Sequence, residues 1–131
     1  MLEFITGAHE APFSFVATVE ALSEDEMTAT ADFSNEQTYS QCCQNAWPLI
    51  VESLAQAAGI HIKNQLDPSY HGYLVGVDAL EVQHAGDLIP HYRLVTKMVS
   101  RVDRKYVYHC EAFTSSNRSI LACNLLLSSA D

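Results

Sequence analysis

The stretch Pro48-Leu49-Ile50-Val51-Glu52-Ser53-Leu54-Ala55-Gln56-Ala57-Ala58-Gly59 constrains the fold of this chain more than any other. Ile50, Leu54, Ala57, Ala58 and His61 fall on one face at helical spacing, with Val51 at its edge. Asn45 is an acceptable N-cap, Pro48 suits a first helical turn, and Asp67-Pro68 bars continuation. The pattern predicts one long helix over residues 46–65. Its small residues, Ala55, Ala57, Ala58 and Gly59, let a sheet approach closely. Glu52, Gln56, Gly59 and Lys63 form a second stripe roughly opposite the first. A carboxylate within so apolar a helix is unusual.

The flanking sequence reads as strands. Residues 11–22 are apolar and rich in Phe and Val, and 27–33 alternate Thr and Ala. Residues 34–45 are polar and without period, a long loop of the kind that often carries function. Beyond the helix, strands are predicted over 73–84, 91–102, 105–114 and 119–128, with turns at Ala85-Gly86-Asp87, Asp103-Arg104 and Ser115-Ser116-Asn117-Arg118. In the second of these, Arg93, Lys97 and Arg101 share one parity and Leu94, Met98 and Val102 the other. In the third, Tyr106, Tyr108, Cys110 and Ala112 share a face. One helix cannot cover both faces of six strands. The economical solution curls an antiparallel sheet around the helix and covers the remainder by pairing subunits, an α+β architecture with a homodimer or higher homo-oligomer expected.

The 131 residues suit a single domain spanning 1–131, with 48% hydrophobic and 18% charged residues typical of a globular chain. No run of apolar residues is long enough to span a membrane. Residues 1–5 lack a basic n-region, so no signal peptide is expected and a cytoplasmic location is the default. A net charge of -9 argues against nucleic acid and anionic membranes as partners. Five of the 7 basic residues, Arg93, Lys97, Arg101, Arg104 and Lys105, nevertheless fall within residues 93–105. They form either a local basic patch or a solvated strand face. No CxxC spacing links Cys42, Cys43, Cys110 and Cys123; the last two read as small core residues. No histidine pair has metal-ligand spacing, so no metal site is expected.

Three segments together resemble a known family. Val51-Glu52-Ser53-Leu54-Ala55-Gln56-Ala57-Ala58-Gly59-Ile60 resembles the central-helix motif of the β-hydroxyacyl-ACP dehydratases of the FabZ/FabA hot-dog superfamily. His9-Glu10-Ala11-Pro12-Phe13 is similar to the His-Arg-x-Pro-Phe segment that opens their first strand. Tyr73-Leu74-Val75-Gly76-Val77-Asp78, followed by Gly86-Asp87, resembles a third family stretch. The matches occur in order and span nearly the whole chain. There is one departure. The dehydratases carry a Gly-His-Phe-Pro-Gly loop before the helix, whose His is the catalytic base, and residues 36–47 contain no His. Trp47 before the helix, with no loop His, is similar to the divergent aryl-polyene-type branch called ApeP.

The resemblance implies a hot-dog fold and a 3-hydroxyacyl thioester carried on ACP or CoA, handled without a cofactor. Dehydrating such a substrate needs a base for the α-proton, an acid for the leaving hydroxyl, and dipoles for the enolate. Glu52 is the carboxylate the family uses as acid. Buried among Ala and Leu, its pKa is expected to rise, which suits an acid near neutral pH. His9 is the remaining base candidate, or alternatively ties down the N-terminal segment. Gln56, Tyr39 and Trp47 are expected to contact substrate, and Arg93, Lys97 and Arg101 to dock an acidic carrier. A Cys42 or Cys43 nucleophile is a weaker alternative. His61 reads as a packed core histidine, and His71, His84 and His91 as loop or strand-end residues. Two further readings stay open: an acyl-binding hot-dog protein that has lost catalysis, and a thioesterase of the same fold using Glu52 with a water.

Overall fold

A computed structural model describes residues 15–34, 46–83, 86 and 88–130. The elements are β1 (Val16–Leu22), β2 (Glu26–Asp32), α1 (Trp47–Gln65), β3 (Gly72–Val82), β4 (His91–Val102), β5 (Lys105–Phe113) and β6 (Ser119–Ser129). The six strands form one antiparallel sheet in the order β1-β2-β4-β5-β6-β3. The helix touches all six strands. A flat sheet of that width cannot reach one helix along its whole breadth, so the sheet curls around α1. No helix among the described residues is long and apolar enough to cross a membrane.

Period-two alternation builds the sheet. Met27, Ala29 and Ala31 of β2, and Tyr106, Tyr108, Cys110 and Ala112 of β5, are all buried against the helix. The opposite helix wall is the predicted one: Ile50, Leu54, Ala57, Ala58 and His61 are each nearly inaccessible, and Val51 is buried beside them. Cys110 and Cys123 are free thiols facing one another across β5 and β6. Burial pushes both thiols up, Cys123 to about 11, so they pack as neutral apolar groups.

The helix begins one residue later than predicted, with Ala46 at the N-cap and no side-chain cap. Asn45 and residues 11–14, the predicted start of the first strand, lie outside the described residues. The Ala46 N–H donates instead to the Gly86 carbonyl at 3.3 Å, which ties the helix start to the segment before β4. At the other end the N–H groups of Leu66 and Asp67 both donate to the Ile62 carbonyl, closing the helix before Pro68.

His61 is a core residue, as its position on the apolar face implies. A carbonyl only accepts, so its Nε2 donates to the Ser23 carbonyl at 2.9 Å, and its Nδ1 accepts the Tyr108 hydroxyl at 2.5 Å. Both ring nitrogens and the tyrosine are thereby satisfied, and the turn between β1 and β2 is fastened to the helix.

One expectation about β4 is overturned. The β4–β5 register shifts between Met98 and Ser100. Val99 is the extra residue of this bulge, 61% exposed. Beyond it Arg101 pairs with Tyr106 and lays its guanidinium over that ring at 5.2 Å, on the helix side of the sheet. Arg93 remains on the outer face, bonded to Asn117 and stacked over Phe113. Arg93, Lys97 and Arg101 therefore do not share a face.

Candidate functional site

The site is built on the second helical stripe. Glu52, Ala55, Gln56, Gly59 and Lys63 form one wall of a cavity of ≈ 260 Å³, and residues 70–74, which lead into β3, form the other. That volume lies just below the ~300–1,000 Å³ typical of small-molecule sites. The helical period places these side chains in line. The turn after α1 supplies the second wall, because the Tyr70 N–H donates to the Asp67 carbonyl at 3.0 Å and brings the chain back beside the helix.

Gln56 is buried. Its Oε1 accepts the Phe15 N–H at 2.8 Å, which turns its Nε2 toward Glu52 Oε1 at 3.4 Å. The second contact is long, so the amide borders the carboxylate more than it grips it. Glu52 is half-buried at the cavity wall, not enclosed among Ala and Leu as the helix pattern implied. It sits one turn inside the helix N-terminus, where the backbone N–H groups leave a positive dipole end.

Glu52 and Gln56 are thus brought together. Trp47 is at the first helical position, 40% exposed, and is not among the residues lining this cavity. His9, Tyr39, Cys42, Cys43 and His84 lie outside the described residues. Tyr70 and His71 line the cavity and were not expected to. Tyr70 follows a turn signal and gives no periodic cue; the glycines on either side of its ring, Gly59 and Gly72, were the available hint. His71 is exposed and adjoins Tyr70, whose ring packs against Gly59. Gly59 is seven residues beyond Glu52, roughly 10 Å along a helix at ~1.5 Å per residue.

Near the same end of the helix, Arg101 and Arg104 act on Asp67. Its carboxyl is held below the usual range by hydrogen bonds from Ser69 first, and by the two guanidinium charges to a smaller degree. Arg104 and Lys105 also border an open groove that shares Tyr73 with the cavity.

No family model matches the sequence, and no curated protein matches it. Solved structures do match. The dehydratase heterocomplex ApeI:P from Xenorhabdus doucetiae superposes with a TM-score of 0.79 at 17% identity, covering 98% of this chain and 93% of that one. The chain has the hot-dog fold. A hypothetical thioesterase with coenzyme A from Streptococcus pneumoniae shares this fold at a TM-score of 0.64 and 12% identity, over 86% of this chain and 84% of that one. AziG from S. sahachiroi shares it at 0.65 and 11%, over 86% and 89%. At these identities the likeness establishes the hot-dog architecture and leaves the chemistry to the residues.

Proposed function

We propose that this chain is a single-domain 3-hydroxyacyl-thioester dehydratase of fatty-acid or polyketide-type lipid metabolism, with its substrate carried on ACP or CoA. The observation that carries this reading is Glu52. It is a carboxylate in the wall of a partly apolar cavity, near a helix N-terminus, beside the Gln56 amide, whose orientation is fixed by the Phe15 N–H. In this reading Glu52 in its acid form protonates the leaving 3-hydroxyl as water. A base, for which His9 is the candidate, takes the α-proton. N–H groups in the first helical turn steady the enolate oxygen, Pro48 offering none. A hot-dog chain in a dehydratase heterocomplex supports the assignment.

The expected assembly is a homodimer in the cytoplasm. Edge strand β3 supports pairing, since Tyr73, Val75 and Val77 are large apolar residues left exposed along it. The heterocomplex among the matched structures makes a different subunit the alternative partner. An acidic carrier is expected to dock near Arg101, with Arg93 and Lys97 facing away from the cavity side.

The test is turnover of a 3-hydroxyacyl-CoA, or its ACP form, by wild type and Glu52→Gln. Formation of the 2-enoyl product by wild type alone supports the reading, and equal rates remove Glu52 from it. A hypothetical thioesterase shares the fold, and the second reading is hydrolysis with Glu52 activating water. Release of free thiol from an acyl-CoA without enoyl product would select it. Binding with neither product would mark an acyl-binding protein that has lost catalysis.

A further inference from the structure

Tyr70 is a buried cavity residue to which the dehydration chemistry gives no role. Its ring is set between two glycines. A Cβ added at Gly59 would meet the ring at 3.6 Å, an ordinary contact, whereas one added at Gly72 would collide with the ring and with the Ser128 carbonyl. The ring also meets Tyr106 edge-on, with centroids 5.8 Å apart. Tyr70 is 5% exposed and lines the cavity with Glu52 and Gln56. Its hydroxyl oxygen is buried and has no hydrogen-bond partner among the described residues. A buried hydroxyl without a partner is costly and uncommon. Phenylalanine would fill the same space without that cost, so packing accounts for the ring and not for the hydroxyl.

We propose that Tyr70 is a ligand-binding residue whose hydroxyl bonds an oxygen of the bound acyl thioester about two helical turns from the group held at Glu52. The spacing follows from Gly59, which carries the Tyr70 ring roughly 10 Å along the helix axis from Glu52 at ~1.5 Å per residue. The ligand class rests on the acyl-thioester reading above. Two parts of such a ligand present an oxygen that far from the reacting carbon: an amide of the carrier's pantetheine arm, and an oxygenated distal end of the acyl chain. Burial first, and Tyr106 second, push the Tyr70 phenol up to about 12, so it remains a neutral donor at physiological pH.

The test is Tyr70→Phe, read by thermal melting and by calorimetric titration with two probes. Octanoyl-CoA has arm amides and no chain oxygen; omega-hydroxyoctanoate has a distal chain oxygen and no arm. The ligand-free variant is expected to melt at or above the wild-type temperature. Its affinity for at least one probe is expected to fall about tenfold, the loss of one buried hydrogen bond. A loss confined to octanoyl-CoA assigns the arm, and one confined to omega-hydroxyoctanoate assigns the chain. Unchanged affinity for both overturns the proposal, as does a wild type that binds neither. A lower melting temperature of the ligand-free variant overturns it too, by giving the hydroxyl a structural partner. Binding through Tyr70 without dehydration refutes the dehydratase reading and leaves this one standing.

Discussion

The Oε1 of Gln56 accepts the backbone N–H of Phe15 at 2.8 Å, joining residues 41 apart in sequence. This bond anchors the entry of β1 to the helix and fixes which end of the amide faces Glu52. Gln56 is therefore a structural residue as well as a cavity residue. Gln56→Ala strands a buried N–H, and is expected to lower stability by about 1–3 kcal/mol in urea denaturation. A variant as stable as wild type would show that the bond is not made in solution.

Glu52→Gln keeps the shape and hydrogen-bonding reach of the side chain while removing its acid. Dehydration is expected to fall by roughly 10²–10⁴-fold, the usual contribution of a positioned acid. Since Glu52 is half-buried and the substituted amide keeps an oxygen that can accept from Gln56, the melting temperature is expected to hold within a few degrees. A parallel loss of folding would point to a structural carboxylate instead.

His61 makes stability depend on pH. Burial lowers its pKa from 6.5, with the Ser23 carbonyl and the Asp25 charge pulling it partly back. The unfolded chain thus binds the proton more readily than the folded one. The stabilisation is complete above pH about 6.5 and is lost as pH falls from there toward the folded-state value, by no more than about 1.4 kcal/mol per pH unit. Urea midpoints at pH 7.5 and 5.5 measure the slope. His61→Gln is expected to flatten it, leaving the contribution of Asp32, whose carboxyl is lowered mainly by Ser34, at more acid pH. A slope unchanged in His61→Gln would assign it elsewhere.

The bulge in β4 puts Arg101 and Arg93 on different faces of the sheet. Arg101 stands on the helix side near Asp67, whereas Arg93 is engaged with Asn117 and Phe113 on the outer face. Arg101→Ala is expected to raise KM for an ACP-borne substrate roughly two- to fivefold, more at low salt, while Arg93→Ala leaves it near wild type. Steady-state kinetics with ACP and CoA forms side by side would check this, and equal effects of the two substitutions would refute it.

Much of the architecture was legible because it rests on local period. Ile50, Leu54, Ala57, Ala58 and His61 announce the helix, and the stripe of Glu52, Gln56, Gly59 and Lys63 announces one cavity wall. The β5 face of Tyr106, Tyr108, Cys110 and Ala112 reads equally directly. The other wall was not legible. Tyr70 and His71 reach the cavity through a turn whose direction depends on where β3 pairs with β6, a contact distant in sequence. The facing of Arg101 was missed because alternation assumes that every residue of a strand counts.

In β4 one residue does not count. With Val99 left out, Leu94, Thr96, Met98 and Arg101 fall in unbroken alternation opposite Ala112, Cys110, Tyr108 and Tyr106. The strand behaves as a regular ladder carrying a single insertion, and the inward arginine is set by the ladder and not by the insertion. An in-frame loss of the Val99 codon would therefore straighten β4 while leaving Arg101 over Tyr106. Chains of this architecture could gain or shed that residue over evolutionary time without re-facing the hairpin, and a gapless alignment across it would match the wrong side chains from Ser100 onward.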